Sequence, residues 1–377
     1  MCFKQFEALK AGLRQTSRRN WKMNKLMATL AATGTAALMS SAAVAEEWTW
    51  WPFPMQDLSS GEVKMIDYSP RTEPVSQKWH ICVLVPHLKD TYWVGINAGV
   101  VQEARRQGVK MTMLQAGGYT ELNTQLAQFD DCVALGVDAI VIGAISEGAL
   151  RGKIEEAAAK GIKMVGFVNP ITESPVDGAI FADFNMASEV AGTALLEKWK
   201  AEGKTEAKVI DFAGVAGSGW AEAAASGWDK AFEGSFVEIL EHKFGETGKT
   251  DQLRLVEDAI QTYDDVDGFV GVAVMAEVAG DVLEQNGLAD KVDIVPFYVT
   301  DSVLEGIKSG AITGAADVPK VVEGAIGVDM AIRALEGETI PSRLRQLPRW
   351  IDQEFATSGD MSPYSPPAGW EVVFNVE

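Results

Sequence analysis

The sequence predicts an α/β protein built as two doubly wound lobes, each a parallel sheet covered by helices. Three observations predict it. Short runs of apolar, β-branched residues recur, each ending at a loop and followed by a helical apolar stripe that stops at glycine. The alternation starts at His80, restarts at Ala207, and has no Pro/Gly/Ser linker between the two runs. The chain has 377 residues, 47% hydrophobic and 23% charged, which is a globular composition long enough for two domains. Strands alternating with helices imply parallel pairing through right-handed crossovers. A cleft between two such lobes is the natural ligand site.

The first 45 residues differ from the rest. Lys4, Lys10, Arg14, Arg18, Arg19, Lys22 and Lys25 stand against a lone Glu7, and residues 26–45 are small, apolar and uncharged. Ala43-Val44-Ala45 is an A-x-A cleavage signal, so the stretch reads as a secretory signal peptide cut near Ala45, with a transmembrane anchor as the weaker alternative. Met23 would itself make a good leader start. Removing a leader with seven basic residues and one acidic residue takes the net charge from −20 to −26. Such a field repels phosphate backbones and anionic lipid, so nucleic acid is not an expected partner.

Residues 46–79 come before any regular pattern. Trp48, Trp50, Trp51 and Phe53 flank Pro52 and Pro54, and Pro70 and Pro74 follow, which is too proline-rich for a sheet interior. An arm packed along the domain and a partner-binding patch are both open readings.

The first strand spans residues 81–85 and is closed by Pro86. Five apolar residues read as a strand buried on both faces. Asp90 or Thr91 can cap the next helix, whose stripe of Val94, Asn97, Val101 and Ala104 stops at Gly108. Further strands are expected over 109–114, 138–142, 162–168 and 178–182, then over 207–212, 236–244, 268–272, 292–298 and 311–315. Helices fill the gaps, with Pro319 at the first position of a long one ending at Leu335 and an irregular tail from Leu344. In open α/β sheets, ligands bind beyond the carboxyl ends of the strands, which puts Asp90, Tyr92 and Trp93 where a ligand would sit. Cys82 on the first strand and Cys132 on the second helix are a candidate disulfide or two buried thiols.

Chemistry of turnover is not signalled. His80, His87 and His242 share no metal-ligand spacing, and there is no nucleophile elbow, Walker A or G-x-G-x-x-G. No catalytic residue, metal or cofactor is expected, and an enzyme is disfavoured.

From His80 to Leu347 the chain resembles the type I periplasmic binding proteins, the fold of the ribose binders and the lactose-repressor core. The first strand with Lys89-Asp90-Thr91-Tyr92-Trp93, the strand at 138–143, the loop at 209–220 and the strand end Phe297-Tyr298-Val299 carry the resemblance. It implies lobes joined by a three-strand hinge, with crossings near Asp183, Asp317 and Leu344. The division is then a signal peptide 1–45, an arm 46–79, an N-terminal lobe 80–183 plus 318–343, and a C-terminal lobe and tail 184–317 plus 344–377. A leader in place of the repressors' basic helix-turn-helix implies the secreted, periplasmic branch.

The sugar binders of this family ring their ligand with Asp, Asn and Arg. Here Asn169, Glu222 and Tyr298 stand at such positions instead. A sugar would leave hydroxyls unpaired, at about 1–3 kcal/mol each. Tyr92, Trp93, Tyr119, Trp220 and Tyr298 could wall a cavity, with Asp90 and Asp317 at its edge and Asn169 beside it. Aromatic faces with few donors suit a quaternary ammonium centre, each desolvated contact contributing about 1–2 kcal/mol. Lys89-Asp90-Thr91-Tyr92-Trp93 and Gly117-Gly118-Tyr119, with the tryptophan-rich arm, are similar to family members that bind trimethylamine N-oxide and work with a membrane sensor histidine kinase. That similarity implies the same ligand and the periplasmic domain of such a kinase as partner. The other reading is a binding component of an ABC transporter for a small methylated amine or sugar.

Overall fold

The computed structural model describes residues 51–377; the leader, its cleavage signal, Trp48 and Trp50 lie outside them. The first lobe opens with a hairpin, β1 (Phe53–Asp57) and β2 (Lys64–Tyr68). It continues through β3 (His80–Val85), α1 (Thr91–Gln107), β4 (Lys110–Gln115), α2 (Leu122–Ala134), β5 (Ala139–Ile142), α3 (Glu147–Ala159), β6 (Lys163–Val168) and β7 (Gly178–Phe181). The chain then crosses into α4 (Phe184–Ala201), β8 (Ala207–Gly214), α5 (Gly219–Phe232), β9 (Val237–Phe244), α6 (Lys249–Thr262), β10 (Gly268–Gly271), α7 (Ala273–Gln285), β11 (Asp293–Pro296), α8 (Asp301–Ser309) and β12 (Ala315–Asp317). It returns through α9 (Lys320–Leu335) and β13 (Leu344–Arg345), crosses to β14 (Arg349–Ile351) and α10 (Gln353–Ser358), and ends at β15 (Asn375–Val376).

The fold has the predicted α/β class. The sheet of the first lobe runs β15-β4-β3-β5-β6-β7-β13-β1-β2, and that of the second runs β11-β10-β8-β9. In each lobe the central pairs are parallel: β3 lies between β4 and β5, and β8 lies between β9 and β10. β3 is buried from Ile81 to Val85, as a strand covered by helices on both faces must be. Asp90 caps α1 by accepting the Trp93 N–H at 3.3 Å, and Gly108 ends it in the left-handed conformation at φ 73°. Cys82 and Cys132 are joined as a buried disulfide, with Cα atoms 5.9 Å apart. Among the described residues no helix is long and apolar enough to cross a membrane.

Two expectations need correction. The arm is not irregular throughout: β1 and β2 extend the first sheet as an antiparallel hairpin. Pro54 lies before the stretch of β1, Gln56 and Asp57, that pairs with β13, so at the proline β1 has a neighbour on one side only, Asp67 of β2. The division at residue 344 also shifts. β13 pairs with β7 in the first sheet, and β15 pairs with β4 at that sheet's far edge, so the tail ends on the first lobe. Only β14, paired with β12, and α10, packed near α8, lie with the second lobe. Strands of two residues carry no alternation from which the sequence could place them. Pro319 stands one position earlier than expected, as the cap of α9.

α1 and α9 cross backbone to backbone. A Cβ on Gly99 would lie 2.0 Å from the Val321 carbonyl oxygen, and one on Gly324 would lie 2.3 Å from the Ile96 carbonyl oxygen. Only glycine permits that approach. Gly99→Ala should lower stability by about 1–3 kcal/mol through forced separation of the two helices. Thermal unfolding beside Gly148→Ala, where a Cβ meets nothing within 4 Å, checks it.

Candidate functional site

The carboxyl ends of both sheets face one cavity of about 340 Å³, counting its open mouth. His87, Asp90, Tyr92 and Trp93 reach it from the loop after β3 and the first turn of α1, Tyr119 from the loop after β4, and Val168 from the end of β6. From the other side come Phe184 at the start of α4, Trp220 in the first turn of α5, Thr247 before α6, and Phe297 and Tyr298 after β11.

The rings from the two lobes meet. Tyr92 and Tyr298 pack edge to face at 5.5 Å, Tyr119 and Trp220 have centroids 5.5 Å apart, and Phe184 lies 6.1 Å from Tyr92. The Asp301 amide donates to Thr91 Oγ1 at 3.1 Å beside them. Trp93 packs against Phe167 and over Gly143, where a Cβ would come within 2.6 Å of its ring.

The only carboxylate in the lining is Asp90, and burial raises its pKa. His87 accepts the Lys89 amide on Nδ1 at 3.4 Å, which puts the proton of the neutral ring on Nε2. Burial lowers the pKa of His87 and favours that neutral form, so the ring adds no positive charge to the cavity. No lysine or arginine lines it.

Six of the eight ligand-binding residues expected from the sequence line this cavity: Asp90, Tyr92, Trp93, Tyr119, Trp220 and Tyr298. Asp317 and Asn169 do not. Asp317 is turned toward Lys320, three residues on, with Oδ2 2.6 Å from Nζ. Lys320 also donates to the Tyr364 carbonyl of the tail and sits 5.7 Å from the centroid of the Tyr92 ring. The pair therefore backs Tyr92 instead of facing the cavity. Asn169 donates to the Ala144 carbonyl at 2.8 Å and lies 3.4 Å from the Tyr119 hydroxyl, behind that ring.

His87, Val168, Phe184, Thr247 and Phe297 are lining residues that the sequence reading did not select. His87 and Phe297 share loops with selected residues, so their position at a strand end was the available signal. Phe184 follows the first crossing between lobes. Val168 is held at φ 64°, a left-handed conformation unusual for a β-branched residue and costing about 1–3 kcal/mol. Its amide donates to Glu323 Oε1 at 3.1 Å, and the Tyr92 hydroxyl donates to Glu323 Oε2 at 3.3 Å. Glu323, buried in the first turn of α9, thus ties the end of β6 to the start of α1.

The chain belongs to the periplasmic binding protein family: the family's periplasmic binding protein domain matches residues 81–339, and the fold is type I. It is a periplasmic solute-binding protein related to TorT and to sugar-binding proteins. The periplasmic protein TorT of Escherichia coli K12 is 31% identical over 281 residues, 73% of this chain and 80% of TorT. An ABC transporter solute-binding protein of Bradyrhizobium sp. BTAi1, solved with bound bis-tris, is 40% identical at a TM-score of 0.77, covering 87% of this chain and 99% of that one. TorT in complex with the TorS sensor domain in the presence of TMAO superposes at a TM-score of 0.71 with 23% identity, covering 78% of this chain and 99% of that one, a likeness of fold.

Burial pushes the Glu323 carboxyl up to about 8 and that of Asp317 up to about 6. A carboxyl with a raised folded-state pKa holds its proton more tightly in the folded chain than in the unfolded one. The stability it carries is whole below the ordinary carboxylate range and is lost as pH rises through the folded value. The melting temperature should therefore fall between about pH 5 and about pH 8.5. Glu323→Gln, which cannot ionise, should flatten part of that fall. Scanning calorimetry across the range checks both.

Proposed function

We propose that this chain is an exported receptor that encloses trimethylamine N-oxide in the interlobe cavity and signals to the periplasmic domain of a membrane histidine kinase. The leader would be cut near Ala45, and the lobes would meet at the crossings near Asp183, Asp317 and Leu344. The chain would bind without turnover. One observation carries the ligand reading: seven of the eleven lining residues are Phe, Tyr or Trp, against one carboxylate and no lysine or arginine. A sugar needs a donor or acceptor for every hydroxyl, and such walls supply few. Methyl groups on a positive nitrogen need ring faces, and three or four desolvated contacts at about 1–2 kcal/mol each support micromolar binding. The similarity to TorT supports the same ligand class and the kinase partner.

A second reading is favoured by a different observation. At 40% identity over 87% of this chain, the Bradyrhizobium transporter protein supports delivery of a small solute to a permease. The two readings differ in what receives the bound molecule.

Trp93→Leu keeps apolar volume and removes the π face. It should weaken trimethylamine N-oxide binding tenfold or more in calorimetry; unaltered affinity places the amine site elsewhere. Ribose and galactose should leave the melting temperature unmoved.

The partner is tested separately. The mature chain and the periplasmic domain of its own organism's sensor kinase should co-elute in size-exclusion chromatography. Failure to do so, with capture of permease subunits from membranes, would select transport.

A further inference from the structure

We propose that Trp220 is a specificity-determining residue: its indole N–H donates to an oxygen carried on the ligand's nitrogen, so the cavity selects amine oxides over quaternary ammonium ions of the same shape. The inference rests on the cavity being the methylated-amine site proposed above.

Trp220 is only 8% exposed and lines the cavity, yet its Nε1 is shut off from solvent with no hydrogen-bond partner. The indoles of this protein otherwise tend to be paired. Trp79 donates to Glu336 at 2.7 Å, Trp199 to Asp293 at 2.6 Å and Trp370 to Asn97 at 3.0 Å. Trp228 is likewise unpaired but lies between α4 and α5, away from the cavity. A buried donor without an acceptor is a standing cost, and a ligand that brings one removes it.

The Trp220 ring cannot easily turn to find another partner. Its benzo edge lies against Gly214, where a Cβ would come within 2.2 Å of the ring. That glycine sits at φ 102°, so the position is closed to side chains on two counts. Tyr119, Phe184 and Phe297 hold the remaining sides at centroid distances of 5.5, 6.2 and 6.4 Å. Two hydroxyls of the cavity are already engaged: that of Tyr119 lies against Asn169, and that of Tyr92 donates to Glu323. Asp90 opposes an oxygen bearing negative charge. Tyr298, Thr247, Trp93 and His87, whose neutral ring carries its proton on Nε2, also line the cavity, and Tyr298 is the competing donor nearest in kind.

Tetramethylammonium differs from trimethylamine N-oxide by a methyl in place of the oxygen. It can use the rings but offers no acceptor. Wild-type protein should therefore bind the N-oxide at least tenfold more tightly in calorimetry. Trp220→Phe keeps a ring in place and removes the N–H. It should cut the N-oxide affinity about tenfold or more and leave tetramethylammonium within about twofold, collapsing the ratio; Tyr298→Phe should preserve it. Equal losses for both ligands in Trp220→Phe would reduce the residue to packing, and collapse in Tyr298→Phe alone would assign the donor to the tyrosine. Either outcome overturns the inference and leaves the amine reading standing. Wild type binding neither ligand would overturn that reading and the inference with it. Should Trp220→Phe fail to fold, NMR of the wild-type indole protons decides: the N-oxide should shift one resonance strongly downfield that tetramethylammonium leaves in place, and no such shift would reject the donor.

Discussion

The cavity depends on how closely α1 approaches α9. α1 carries Tyr92 and Trp93 in its first turn, and α9 carries Lys320 and Glu323 in its own. Gly99 and Gly324 let the two backbones touch, and that contact sets the distance at which Glu323 can accept the Tyr92 hydroxyl and Lys320 can lie over the Tyr92 ring. A wider crossing would cost Glu323 the Tyr92 hydroxyl and Lys320 the Tyr92 ring, leaving the buried carboxyl with the Val168 amide alone of these partners. The cage wall and the second crossing between the lobes are therefore one packed unit. Val168 joins it from β6, because its strained backbone presents its amide to the same carboxyl.

Charge is arranged in two layers around the rings. The inner layer holds little of it: one partly buried carboxylate, Asp90, and a neutral imidazole, His87. The ionised groups stand behind, where Asp317 and Lys320 neutralise each other and burial favours the protonated form of Glu323. Rings in such a setting keep their faces for a guest. A lysine or arginine within the cavity would occupy the same faces and repel a positive nitrogen.

The class of fold was legible because it rests on long, regular signals. β3, α1 and the repeats that follow announce themselves by apolar runs and glycine stops, and the central strands lie where those signals placed them. The edges of the first sheet were not legible. β13 and β15 are two residues long, and β1 carries a proline, so their pairing is set by what lies beside them in space. The same division holds at the site. Tyr92 and Trp93 could be selected because two adjacent aromatics follow directly on a buried strand's end, although both prove buried in one apolar cluster. Asp317 could not be rejected, because its turn toward Lys320 is a matter of helix geometry beyond the strand, and a carboxylate at a strand end reads the same whether it faces a ligand or a lysine. Phe184 and Phe297 look in sequence like ordinary core residues, and they become walls only when the second lobe is brought against the first.

The residues that would hold a guest are the residues through which the lobes touch. Tyr92 against Tyr298 and Tyr119 against Trp220 are contacts of about 0.5–1.5 kcal/mol each beyond their buried area. A ligand entering between the lobes exchanges part of that ring-to-ring contact for ring-to-methyl contact, so the gain on closing over the rings alone is small. A closed arrangement is favoured by a ligand only through interactions the open one lacks. Rings on one lobe can contact methyl groups whether the lobes are open or shut. A donor on the second lobe, facing a nitrogen held by Tyr92 and Trp93 of the first, is satisfied only when they meet. Trp220 occupies that position: its Nε1 has no partner within the protein, and an oxygen on the guest would supply a differential between open and closed arrangements.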